Sequence, residues 1–115
     1  MNLRGSVVRV RLDPTEGREQ AGTRPAIVVS AQVFNENMDV LVVAPITSKK
    51  VDRIFPFEAR LDHELLGLGV PSKAMLNQIR TVSKSRIVGS YGVADVETMR
   101  AVDAALIVTL GLSPL

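Results

Sequence analysis

Val8, Val10 and Leu12 alternate with Arg9 and Arg11, the period of a strand with one buried face, and predict a first strand over residues 6–12. Asp13-Pro14 ends it, and periodicity is then absent until Ala26-Ile27-Val28-Val29, a continuous apolar run that predicts a second strand near residues 24–30. The connection is roughly eleven residues, longer than a hairpin needs, and loops of that length in compact domains tend to be functional or disordered. Glu16, Arg18, Glu19 and Gln20 make this one polar and favour function.

Met38 to Ile46 is nearly all apolar and predicts a central strand over residues 39–46, closed by the basic turn Thr47-Ser48-Lys49-Lys50. A fourth strand is expected at residues 53–60, with Pro56 marking a sheet edge or a bulge because it has no N–H for a ladder. Residues 61–69 are turn-like, residues 72–76 and 78–82 read as short strands, and a helical turn over residues 83–86 leads into Ile87-Val88-Gly89. From Asp95 the period becomes helical, with Met99, Val102, Leu106 and Leu110 on one stripe. Asp95 is placed to cap the start and Gly111 to stop the end. Five or six short strands followed by one helix predict a small, strongly curved antiparallel barrel, formed as a single domain over residues 1–115.

Composition narrows the chemistry. A 46% hydrophobic content supports a real core, although a 115-residue domain gains from association with a second copy. Cysteine is absent and His63 is the one histidine, which rules out disulfides, thiolate metal sites and a two-histidine acid/base pair within the chain. No cofactor is expected. His63, inside Asp62-His63-Glu64, reads as a solvated surface residue. No long apolar run and no signal-like start are present, so a cytoplasmic protein is expected. Net charge is only +2, but it is unevenly placed. Residues 65–90 carry Lys73, Arg80, Lys84 and Arg86 with no acid, a local charge of +4, whereas residues 91–115 carry Arg100 against Asp95, Glu97 and Asp103, a local charge of −2. The first segment suits a polyanion.

No catalytic triad, phosphate-binding glycine loop or HExxH spacing appears, which leaves arginine, hydroxyl and carboxylate groups as candidates. Arg24 is held out of helical conformation by Pro25, and its guanidinium could fork onto a phosphate. Spacing alone favours an ion pair with Glu19 or Glu16 that orders the loop. Thr47 and Ser48 can donate to phosphate oxygens or simply cap a turn. Gln78 and Arg80 would share one strand face, where an amide and a cation can read a base edge, or where the strand is merely half exposed. With only Phe34, Phe55, Phe57 and Tyr91 as aromatics, a stacking platform is not expected to dominate.

The stretch Arg4-Gly5, Leu12 to Thr15 and Glu16-Gly17-Arg18-Glu19-Gln20-Ala21-Gly22-Thr23-Arg24-Pro25-Ala26 resembles the N-terminal signature of the MazF/PemK endoribonuclease toxins. The resemblance continues in order through Val43 to Ser48, Pro56-Phe57-Glu58, Gln78 to Val82, Lys84-Ser85-Arg86, Val102 to Leu106 and Leu110-Gly111-Leu112. It implies an SH3-like barrel, a homodimer binding RNA across its interface, and metal-free, sequence-specific cleavage of single-stranded RNA that leaves a cyclic phosphate and a 5′-hydroxyl. A cognate MazE-like antitoxin would silence it. Carried over by position, the resemblance makes Arg24 and Thr47 the catalytic pair, with Glu19 as an alternative base and Gln20 on RNA. Further RNA contacts are expected from Thr23, Ser48, Lys49, Lys50, Arg53, Asn77, Gln78, Arg80, Lys84 and Arg86. Ser6, Val8 and Asn77 depart from the family pattern, the last by replacing a common Asp. A gyrase-inhibiting toxin of the same barrel is the alternative, but its C-terminal aromatic is missing from Leu110 to Leu115. An inactive barrel module is the other, which Asn77 keeps open.

Overall fold

Alternation of the kind seen in Val8 and Val10 builds a sheet that curls on itself, and a computed structural model describes it over residues 4–11 and 22–113. Among the described residues seven strands appear, β1 (Ser6–Arg11), β2 (Thr23–Val28), β3 (Val40–Thr47), β4 (Glu58–Leu61), β5 (Ser72–Met75), β6 (Arg80–Ser83) and β7 (Ile87–Val93), with helices α1 (Gln32–Asn37) and α2 (Val96–Leu110). Their spatial order is β4-β5-β3-β2-β1-β7, with β6 also on β3, and every pairing is antiparallel. This is the small antiparallel barrel with a C-terminal helix that the sequence predicts.

β3 is the hub. Along one edge it pairs with β2, while along the other its first half pairs with β6, from Val40↔Ser83 to Val43↔Arg80, and its last two residues pair with β5. Val8, Val10, Ala26, Val28, Leu41, Val43 and Val82 fill the inside of the curl. On the opposite face Val7, Ile27, Ala44, Ile46, Ala59 and Ala74 meet Val102 and Ala105 of α2. Both faces of the central strands are therefore buried, each large aliphatic side chain contributing about 1.5–3 kcal/mol.

α2 ends as its sequence dictates. The Asp95 carboxylate accepts from the Thr98 N–H at 2.9 Å, and Gly111, at φ 70°, closes the last turn by donating to the Ile107 carbonyl at 2.9 Å. Arg4 straps the helix to the sheet through its Nε on the Val29 carbonyl at 2.8 Å and its Nη2 on Asp103 at 2.6 Å. Gly5, at φ 93°, lets the chain pass beneath Met99, whose sulfur would lie 3.3 Å from an added Cβ.

Several expectations are corrected. The fourth strand starts at Glu58, not at residue 53, because the Glu58 carboxylate captures the Phe55 N–H at 3.0 Å and turns the chain there. Gln78 belongs to a 3-10 turn, Leu76–Gln78, ahead of β6. α1 has no counterpart among the expected elements: it is short, polar and held through the buried Asn35, which donates to the Ser30 carbonyl at 3.0 Å. Leu110 is 52% exposed, so the core stripe of α2 is Thr98, Val102 and Ala105 flanked by Met99 and Leu106. No described helix is long and apolar enough to cross a membrane.

Candidate nucleic-acid cleft

At the mouth of the barrel the strands leave a cleft of about 580 Å³ whose walls come from β1, β2, β3, β5, the 3-10 turn, β6 and β7. Val10, Pro25, Ala26, Val43, Pro45 and Ile46 give it an apolar floor, and Arg24, Thr47, Ser48, Lys49, Gln78 and Arg80 line its rim. Six of the site residues expected from sequence thus share one concavity. The described residues lining it carry three cations and no carboxylate, a charge that suits a polyanion.

Strand register explains the convergence. Ala26 lies opposite Pro45 where the β2–β3 ladder ends, and Arg24 and Thr47 each lie two residues beyond that pair, at the same end of the two strands. Val10 lies opposite Arg24 on the other side, and Arg80 opposite Val43. The Arg24 side chain is exposed, and its Nη1 donates to the Thr23 carbonyl at 3.3 Å. Thr47 Oγ1 accepts from the Lys49 N–H at 3.1 Å. That bond uses an oxygen lone pair and leaves the hydroxyl hydrogen to donate. Gln78 Nε2 rests on the Met75 sulfur at 3.7 Å, which turns the amide along the cleft wall.

The other expected residues lie elsewhere. Thr23 is exposed at the start of β2, and Asn77 is exposed on the 3-10 turn; neither lines the cleft. Lys50 and Arg53 sit on the β3–β4 connection just outside it. Lys50 holds φ 54°, and the Arg53 guanidinium lies 4.9 Å over the Phe55 ring. Lys84 Nζ is drawn to the carbonyl of Asn35 on α1, and Arg86 Nη1 donates to the Arg11 carbonyl at 3.4 Å. Glu19 and Gln20 lie outside the described residues.

One charged group on this side of the molecule is misread from sequence. Lys73, which counts along the chain as a cation available to a polyanion, is only 4% exposed and ion-paired with Glu58 at 2.9 Å. Burial opposes ionisation of the Glu58 carboxyl. The Phe55 N–H and the Lys73 ammonium more than offset it and hold that group below its ordinary value of 4.5. A polar residue in a strand normally signals a solvated face, so only a Glu placed fifteen residues earlier could have hinted at the pair.

A family model described as PemK-like, MazF-like toxin of type II toxin-antitoxin system matches residues 3–110. Endoribonuclease EndoA of Bacillus subtilis is 34% identical over 109 residues, covering 95% of this chain and 94% of that protein. Among solved structures, MazE-MazF of Deinococcus radiodurans superposes with TM-score 0.79 at 28% identity, covering 96% of both chains. A mycobacterial endoribonuclease in complex with its cognate antitoxin superposes with TM-score 0.80 at 23% identity over 100% of both chains, a likeness of fold.

Proposed function

Since the chain belongs to the PemK-like, MazF-like toxin family of type II toxin-antitoxin systems, we propose that it is an endoribonuclease cutting single-stranded RNA in the cleft described above. The observation that supports this reading is that Arg24 and Thr47, a planar cation and a hydroxyl on the adjacent strands β2 and β3, both line that one cleft.

Cleavage through the RNA's own 2′-hydroxyl needs alignment, relief of the charge that builds on phosphorus, and proton transfer at both oxygens. Arg24 forks onto the non-bridging phosphate oxygens and offsets the charge that builds there. Thr47 donates to the same phosphate and fixes its position. The 2′-oxygen gives its proton to a base and forms a new bond to phosphorus as the bond to the 5′-oxygen breaks, and that leaving oxygen takes a proton from solvent water, giving a 2′,3′-cyclic phosphate and a 5′-hydroxyl. Glu19, outside the described residues, is the proposed base. Gln78 and Arg80 supply the amide and guanidinium that read base edges. Lys49 and Ser48 hold the backbone, joined beyond the rim by Gln20, Thr23, Lys50, Arg53, Asn77, Lys84 and Arg86.

The protein acts in the cytoplasm as a single domain and as a homodimer. The apolar side chains left exposed on β7, Val88 at 40% and Val93 at 49%, are consistent with a second copy. Its antitoxin is an acidic segment that folds into the cleft and displaces RNA. The test is incubation of purified protein with a defined single-stranded RNA, followed by analysis of product ends. Cyclic-phosphate and 5′-hydroxyl ends at a short preferred sequence are expected. Intact RNA, together with inhibited gyrase supercoiling, overturns the reading.

A further inference from the structure

We propose that Lys73 is a positioning residue of the cleft: its buried ammonium, anchored by Glu58, fixes the backbone between β3 and β4 so that Ser48 and Lys49 stand at the rim. The proposal rests on the nuclease reading above and adds to it a determinant of RNA affinity.

Lys73 lies opposite Thr47 in the β3–β5 ladder, so both side chains rise from the same face of the sheet. Its Nζ donates to the Lys50 carbonyl at 3.0 Å, the Arg53 carbonyl at 3.1 Å and Glu58 Oε1 at 2.9 Å. An ammonium has three protons, and here each has an acceptor. Glu58 Oε1 also takes the Phe55 N–H at 3.0 Å. The chain that leaves Thr47 is therefore pinned at Lys49 through the Thr47 hydroxyl, at Lys50 and Arg53 through Lys73, and at Phe55 through Glu58.

The choice of residue types argues for geometry over stability. A buried ion pair commonly matches or falls short of an apolar pair of equal volume in stability, because both charges lose their water. Two apolar side chains would fill this space, but they would leave the carbonyls of Lys50 and Arg53 without a donor. The connection also carries a left-handed turn at Lys50, φ 54°, a conformation that a non-glycine residue keeps only when its surroundings impose it. Phe55 stacks on Phe57 at 5.5 Å and lies 6.0 Å beneath the ammonium, closing the pair from solvent.

The test pairs kinetics with amide exchange. In the double variant Lys73→Met/Glu58→Gln both charges go together, shape is kept, and the new side-chain amide oxygen still accepts from the Phe55 N–H. We expect the folded double variant to show KM for single-stranded RNA raised about tenfold with kcat changed far less, since the rim is displaced while the reacting groups remain. Binding of an uncleavable 2′-deoxy analogue should weaken in parallel, and amides 49 and 53 should exchange at least tenfold faster than in the parent. A folded double variant with unchanged KM and unchanged exchange overturns the proposal. Should that variant fail to fold, the parent decides. Protection of those amides approaching that of β3 supports the proposal, and exchange at open-chain rates overturns it. If the parent leaves RNA intact, the nuclease reading falls, and the exchange measurements still judge the role of Lys73 in the loop.

Discussion

Two cations flank Thr47 across neighbouring strands, and they have been given opposite environments. Arg24, on the β2 side, is exposed and faces a cleft; Lys73, on the β5 side, is 4% exposed and bound to a carboxylate and two carbonyls. The same charge within one sheet thus serves two ends. In water and beside a concavity it can meet a ligand, whereas buried with its partners it can only hold protein. Counting charges along a sequence does not separate the two, and strand register together with burial does.

The largest effect that would sharpen this contrast is on stability. Lys73→Met alone leaves Glu58 buried without its cation and should cost about 3–5 kcal/mol in denaturant unfolding. A loss below about 1 kcal/mol would mean that the pair is in effect solvated. Arg24→Ala should do the reverse, lowering RNA cleavage about 10²–10³-fold while unfolding shifts by less than about 0.5 kcal/mol. Equal damage to stability and activity would erase the distinction between the two cations.

Thr47→Val keeps the shape of the residue between them and removes its hydroxyl, and a roughly tenfold to hundredfold fall in kcat is expected. Undiminished turnover would take Thr47 out of the chemistry. In the buried pair the Glu58 carboxyl is held below 4.5, and at the exposed start of α2 the Asp95 carboxyl is held below 3.8 by hydrogen bonds from Thr98. A depressed folded value means that their stabilisation is complete above those ordinary values and is lost as pH falls through the folded ones. Thermal unfolding followed from about pH 5 down to pH 2 should show a decline that Glu58→Gln flattens; a parent curve with no slope there contradicts the assignment. Smallest of all, EDTA should leave the cleavage rate unchanged, since the chain has no cysteine and a single histidine. Activity lost to chelation and restored by magnesium would show that the cleft cations do not suffice.

Periodic segments are legible without any coordinates. β1, β2, β3 and α2 follow from alternation, an apolar run and a helical stripe, and the Asp95 and Gly111 boundaries follow from capping chemistry. What escapes such a reading is local competition: Ile54 to Phe57 is apolar enough to pass for a strand, and a single carboxylate capturing the Phe55 N–H decides otherwise. α1 is too short and too polar to announce itself. The candidate site is legible as residue types, chiefly through the motif around Arg24. Its shape is not, because Arg24 and Arg80 meet only after β2, β3 and β6 are in register. The buried pair is the least legible of all, since Lys73 looks like any surface lysine until Glu58 is placed beside it.

Pro25 and Pro45 both line the bottom of the cleft, and neither has an amide hydrogen. A nucleobase resting on them would find no amide donor there, so on the proposed reading discrimination between one base and another falls to side chains around the perimeter. Those side chains sit on separate segments, the end of β3, the turn before β6 and β6 itself. On that reading, taste for a particular sequence would drift one segment at a time while the bed beneath stays as it is.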